Sequence, residues 1–88
     1  MRTQEYSILN KLGLHARASA LFVKTASRFA SDIKISRDDI EVNGKSIMGI
    51  MMLAAGKGTR VKVTVDGPDE AEAMATLGEL INDGFGEN

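Results

Sequence analysis

Cysteine and tryptophan are absent from this chain of 88 residues, and histidine and proline each occur once. Without cysteine there is no disulfide framework and no thiolate zinc site, and one histidine is too few for an imidazole metal cluster. No metal and no cofactor is therefore expected. An excess of one charge is also lacking: eleven Lys and Arg stand against twelve Asp and Glu, a formal net charge of −1. That balance argues against the broad basic footprint of a protein that binds nucleic acid or anionic membrane. No apolar run approaches the roughly 18 residues of a membrane span, and the opening MRTQEYSILNK lacks the apolar stretch of a signal peptide. A soluble, cytoplasmic, monomeric protein without direct membrane insertion is expected. Its length suits one domain over 1–88, with a modest core and no deep cleft between lobes.

What is present reads as alternating short elements. From Thr3 to Leu9, Tyr6 and Ile8 alternate with Glu5 and Ser7, the period of a half-buried strand. Asn10 to Gly13 turn the chain into a helix over Ala16 to Ala30. Its core face is Ala18, Leu21, Phe22, Thr25, Ala26 and Phe29, and Arg17, Lys24 and Arg28 share another face. Ile33 and Ile35, then Ile40 and Val42, alternate on either side of Arg37-Asp38-Asp39 and predict a hairpin. After a break at Asn43-Gly44, Ser46 caps a short apolar helix, Ile47 to Leu53. Gly56-Lys57-Gly58 ends it, and Thr59 to Asp66 alternates as a fourth strand. Gly67-Pro68 opens a last helix with Asp69, Glu70 and Glu72 at its positive end and Met74, Leu77, Gly78 and Ile81 buried, stopping at Gly84. The order β-α-β-β-α-β-α predicts an α+β, two-layer open-faced sandwich, a four-stranded antiparallel sheet with three helices on one face.

Chemistry concentrates at Gly13-Leu14-His15-Ala16-Arg17. A turn glycine hands over to a first helical turn whose amides, at Ala16 and Arg17, lack partners, and those amides with the helix dipole and a guanidinium favour negative charge. An imidazole there, partly neutral and nucleophilic at cell pH, suits a histidine that receives, holds or recognises a phosphate. In the short helix, Met48 and Met51 are expected at the surface, an apolar patch edged by Arg17, Lys24 and Arg28 and suited to several acidic partners. Two lures fail. Gly44-Lys45-Ser46 imitates the end of a phosphate-binding loop, but Asp39 stands where the first glycine belongs; Gly56-Lys57-Gly58 has no following Ser or Thr, and Met51 in that glycine's place. Two rivals remain: a small nucleic-acid module, with Tyr6 its only stacking residue on a strand, and a small hydrolase that would need Asn43 to position water.

GLHARASA resembles the active-site motif of the HPr family, the histidine-containing phosphocarriers of the bacterial phosphoenolpyruvate-dependent phosphotransferase system, and NGKSIMGIMML resembles that family's serine motif. The resemblance covers essentially the whole chain. It implies a carrier and not an enzyme: His15 takes a phosphoryl group on Nδ1 from enzyme I and passes it to the A domain of a sugar permease or regulator, Arg17 assisting. It implies a second phosphorylation, at Ser46, by a serine kinase and its opposing phosphorylase; partner docking is expected through Ala20, Lys24, Arg28, Ile47, Met48 and Met51. One departure is Ala18, where the family usually has proline. It leaves open a nitrogen-branch paralogue, or a regulatory binding module of the same fold with little transfer to permeases.

Overall fold

Valine at every second position from Val61 to Val65 makes the central strand, because β-branched side chains on one face of a pleat bury together. The computed structural model describes residues 1–87. That strand, Arg60–Asp66, is the fourth in sequence (β4); it pairs antiparallel with Arg2–Ser7 (β1) on one side and with Asp32–Arg37 (β2) on the other. Ile40–Asn43 (β3) pairs antiparallel with β2, giving the order β1-β4-β2-β3. Three helices cover one face: Ala16–Ala26 (α1), Ile47–Met52 (α2) and Glu70–Asn82 (α3). The fold is the one expected.

Register places the core. Val63 lies opposite Ile35, and Val65 opposite Ile33, and directly opposed residues share a face. These four, with Tyr6 and Val61, meet Ala18, Phe22 and Ala26 of α1, Ile50 of α2, and Ala73, Leu77 and Ile81 of α3 in one buried cluster. Each large apolar side chain buried there contributes about 1.5–3 kcal/mol. On α1 the expected face is narrower, with Leu21 and Thr25 half-buried and Ser19 joining the interior.

Element ends differ from expectation where tertiary bonds intervene. α1 stops at Ala26 rather than Ala30. The amides of Arg28 and Phe29 fall back on Thr25 and Ala26 in a tightened turn, Lys45 Nζ takes the Phe29 carbonyl at 2.8 Å, and the Asp69 carboxylate takes the amides of Ala30 and Ser31. β1 ends at Ser7, although Ile8 still pairs through Thr59 and Gly58; Leu9 falls outside and is exposed. α2 closes at Met52 and β4 opens at Arg60, each one residue inside the expected bound. α3 starts at Glu70, whose carboxylate accepts the Gly67 amide at 3.1 Å. Gly84 does end α3 in a left-handed turn at φ +62, but the chain then runs through an unexpected 3₁₀ turn, Gly84–Gly86, with Phe85 buried. No helix among the described residues is long and apolar enough to cross a membrane.

Candidate functional site

The β1–α1 connection is held from both sides. Gly13 sits at φ +68, and a Cβ there would come within 2.3 Å of the Ala55 carbonyl oxygen, so the turn requires glycine. The next amide, of Leu14, donates to that same carbonyl at 2.9 Å, and the Ser19 hydroxyl donates to the Leu14 carbonyl at 3.1 Å. The loop before α1 is thereby pinned to the loop after α2.

His15 emerges from this turn as the N-cap of α1, with extended backbone at φ −75, ψ −178. Its Nδ1 accepts the Arg17 amide at 3.3 Å, capping the helix with an imidazole in place of the usual hydroxyl or carboxylate. On the far edge of the ring, Nε2 lies 2.6 Å from Glu87 Oε2. The other oxygen of Glu87 accepts from Asn10 Nδ2 at 2.9 Å, and the same nitrogen donates to the Gly13 carbonyl at 2.8 Å. Asn10 is only 2 % exposed, and its Oδ1 has no partner among the described residues. The Asn10 amide first, then the His15 ring and the Arg17 charge, hold the Glu87 carboxyl below the usual glutamate range, against the opposing effect of desolvation. Glu87 is an ionised acceptor at neutral pH.

Of the two amides expected to meet a phosphate, that of Arg17 is occupied by His15 itself in this state. The Ala16 amide is free, and so is that of Ala18; neither has an acceptor among the described residues, the first helical bond being Ser19 to the His15 carbonyl. The Arg17 side chain is exposed and, among the described residues, makes no salt bridge. With Lys11, Leu12 and Glu87 it lines an open hollow of about 430 Å³. A partly exposed imidazole, unbonded amides and an exposed cation on an open surface suit receipt of an anionic group from a macromolecular partner more than enclosure of a small substrate. Among the described residues no group of His, Asp and Glu could hold a metal.

α2 packs on α1 beside this turn. Ser46 caps it, its hydroxyl accepting the Gly49 amide at 3.1 Å, and Arg37 closes the other end by donating to the carbonyls of Leu53 and Ala54 at 3.0 and 2.9 Å. Only Ile50 is buried. Ile47 and Met51 are partly open, and Met48 and Met52 are 77 % and 72 % exposed. Met48 and Met51 are exposed as expected, Met52 is exposed with them, and so is Leu12 on the turn before His15. Ala20 and Lys24 are exposed on α1. Arg28 turns elsewhere: its guanidinium stacks 5.9 Å from the Phe29 ring centre and lines a groove between α1 and α3 with Glu79 and Asp83.

The sequence alone does not single out Glu87 or Asn10. Asn10 reads as an ordinary turn residue, and Glu87 follows a glycine stop with no periodicity to place it; a carboxylate three residues beyond that stop is the only signal, and a weak one.

The chain matches the family model described as "PTS HPr component phosphorylation site" over residues 2–83. It is similar to the phosphocarrier protein HPr of Neisseria meningitidis, 59 % identical over 87 residues that cover 99 % of this chain and 98 % of that one. The phosphocarrier protein HPr of Cupriavidus necator is 54 % identical, with the same coverage. Among solved structures, HPr-C-His from Thermoanaerobacter tengcongensis superposes with a TM-score of 0.96 at 50 % identity, covering 100 % of this chain and 99 % of that one. Nothing in these likenesses singles out a nitrogen-branch protein.

Proposed function

This chain belongs to the HPr family of the phosphotransferase system and is a phosphocarrier with a histidine phosphorylation site, a relay rather than a catalyst; from that premise we propose that His15 is the residue that carries the phosphoryl group. The observation that supports it is the orientation of the imidazole, whose Nδ1 lone pair faces the start of α1. When Nδ1 takes phosphorus it gives up the Arg17 amide. That amide and the free one of Ala16 then face the new phosphoryl oxygens, and the Arg17 guanidinium reaches them with a forked donor. The site is open, so the group can be handed on.

The family implies phosphotransferase-system partners such as enzyme I. We assign the receiving role to the A domain of a sugar permease or regulator, and the docking surface to Ile47, Met48, Met51 and Ala20 with Lys24 and Arg17 at the rim, which suits apolar partners edged with acidic groups. Ser46 is assigned as a regulatory site for a serine kinase: half-buried at the rim of the patch, it would place a dianion where partners dock. The protein is read as a cytoplasmic monomer of one domain. Family membership sets aside the nucleic-acid and hydrolase readings.

Incubating the protein with phosphoenolpyruvate and enzyme I should give one equivalent of acid-labile phosphate, absent from His15→Ala. An adduct that persists in His15→Ala would overturn the assignment.

A further inference from the structure

The span matched by the family model ends at residue 83, and the chain beyond it comes back to the site. Gly84, Phe85 and Gly86 take left-handed backbone at φ +62, +57 and +72, a run that reverses the chain as it leaves α3. For Phe85, with a side chain, this conformation is strained and persists only where surroundings over-determine it. Here they do: its ring is 3 % exposed in the core, and the amides of Gly86 and Glu87 bond back to Asp83 and Gly84 at 3.2 and 3.0 Å. The result is a strap that delivers one carboxylate. Its two oxygens meet two donors, Asn10 Nδ2 and His15 Nε2, and Asn10 is itself tied to the carbonyl of Gly13. The carboxylate is therefore indexed to the turn that presents His15.

Both ring nitrogens are then specified. Nδ1 accepts an N–H and so carries no proton; an ionised carboxylate can only accept, so Nε2 carries it. We propose that Glu87 is a positioning residue for phosphoryl transfer, holding the His15 ring as the Nε2–H tautomer, closing Nε2 to phosphorus and leaving Nδ1 as its single nucleophile. The inference rests on His15 being the acceptor. In the step, the Nδ1 lone pair forms the N–P bond while the bond from phosphorus to the donor breaks, its electron pair leaving with the donor. No proton is released by His15, because Nε2 keeps its own. The positive charge that the ring acquires lies against the Glu87 carboxylate, as an imidazolium does against the orienting carboxylate of a hydrolase triad.

The test uses the full chain and its Glu87→Ala and Glu87→Gln variants; glutamine has one acceptor for two donors. Imidazole ¹⁵N spectra should show the Nε2–H tautomer in the parent and a mixture in both variants. Steady-state phosphorylation by phosphoenolpyruvate and enzyme I should show kcat lowered about tenfold and KM for the carrier unchanged. An unchanged tautomer, an unchanged kcat, or a rise in KM alone would each overturn the proposal, the last because it marks a contact with the partner. Loss of the carrier reading is seen separately, as phosphate retained by His15→Ala.

Discussion

The Asp69 carboxylate closes on Ser31 and not on its own helix: one oxygen accepts both the amide and the hydroxyl of Ser31, and the other takes the Ala30 amide at 2.9 Å. Asp69 stands at the N-cap of α3 without a capping bond. It joins the end of the α1–β2 connection to the start of α3, with four elements between them in sequence.

This clamp predicts an acid sensitivity. The Ser31 hydroxyl, then the backbone amides of Ala30 and Ser31, hold the Asp69 carboxyl below its ordinary value. A depressed folded pKa contributes stability that is present above the unfolded value, about 3.9, and is lost as pH falls through the folded one. Asp69→Asn should therefore melt below the parent at pH 7, and the gap should narrow as pH drops beneath about 4. Thermal melts of both proteins across that range check it; a constant gap would contradict the clamp.

Gly78 lies mid-helix in α3, where alanine would ordinarily stabilise by about 1 kcal/mol. Here a Cβ would approach the Tyr6 hydroxyl to 2.4 Å and its Cζ to 2.9 Å, with Tyr6 itself buried. Overpacking of this kind costs about 1–3 kcal/mol, so Gly78→Ala should destabilise on balance. Adding Tyr6→Phe removes the closest atom and should recover part of the loss. Urea denaturation of the two variants measures both numbers.

At Ser46 stability and docking separate. Ser46→Ala removes the bond to the Gly49 amide and should cost about 1 kcal/mol. Ser46→Asp keeps a capping oxygen and should melt near the parent, but its charge beside the apolar patch should raise KM for enzyme I while Ser46→Ala leaves it nearly unchanged. Equal KM values for the two variants would remove Ser46 from the docking surface.

Met48 and Arg17 should fail differently. Met48 is largely exposed, so Met48→Asp should change stability by no more than about 0.5 kcal/mol and raise KM for enzyme I about tenfold. Arg17→Ala should lower kcat by about a hundredfold, as loss of a donor to developing anionic charge does. Initial-rate kinetics at varied carrier concentration separates them.

Much of this was readable along the chain because the cause is local. Alternation from Val61 to Val65 makes a half-buried strand wherever it occurs, the hydroxyl of Ser46 caps whatever helix follows, and Gly13 before Leu14-His15-Ala16-Arg17 marks a turn into a helix start. The burial of Gly78 was legible from helical spacing; its need to be glycine was not, because Tyr6 approaches from β1, far away in sequence.

The sequence by itself determined the element order, the sheet's buried face and the pairing of His15 with Arg17, since these follow from side-chain period and from neighbours a few residues apart. Only the tertiary structure decided that Asp69 serves Ser31, that α1 ends at Ala26, that Arg28 faces α3, and that Glu87 reaches His15 Nε2. Each depends on where two distant stretches meet, and the last depends on a left-handed reversal at Gly84, Phe85 and Gly86 that is held by burial of the Phe85 ring.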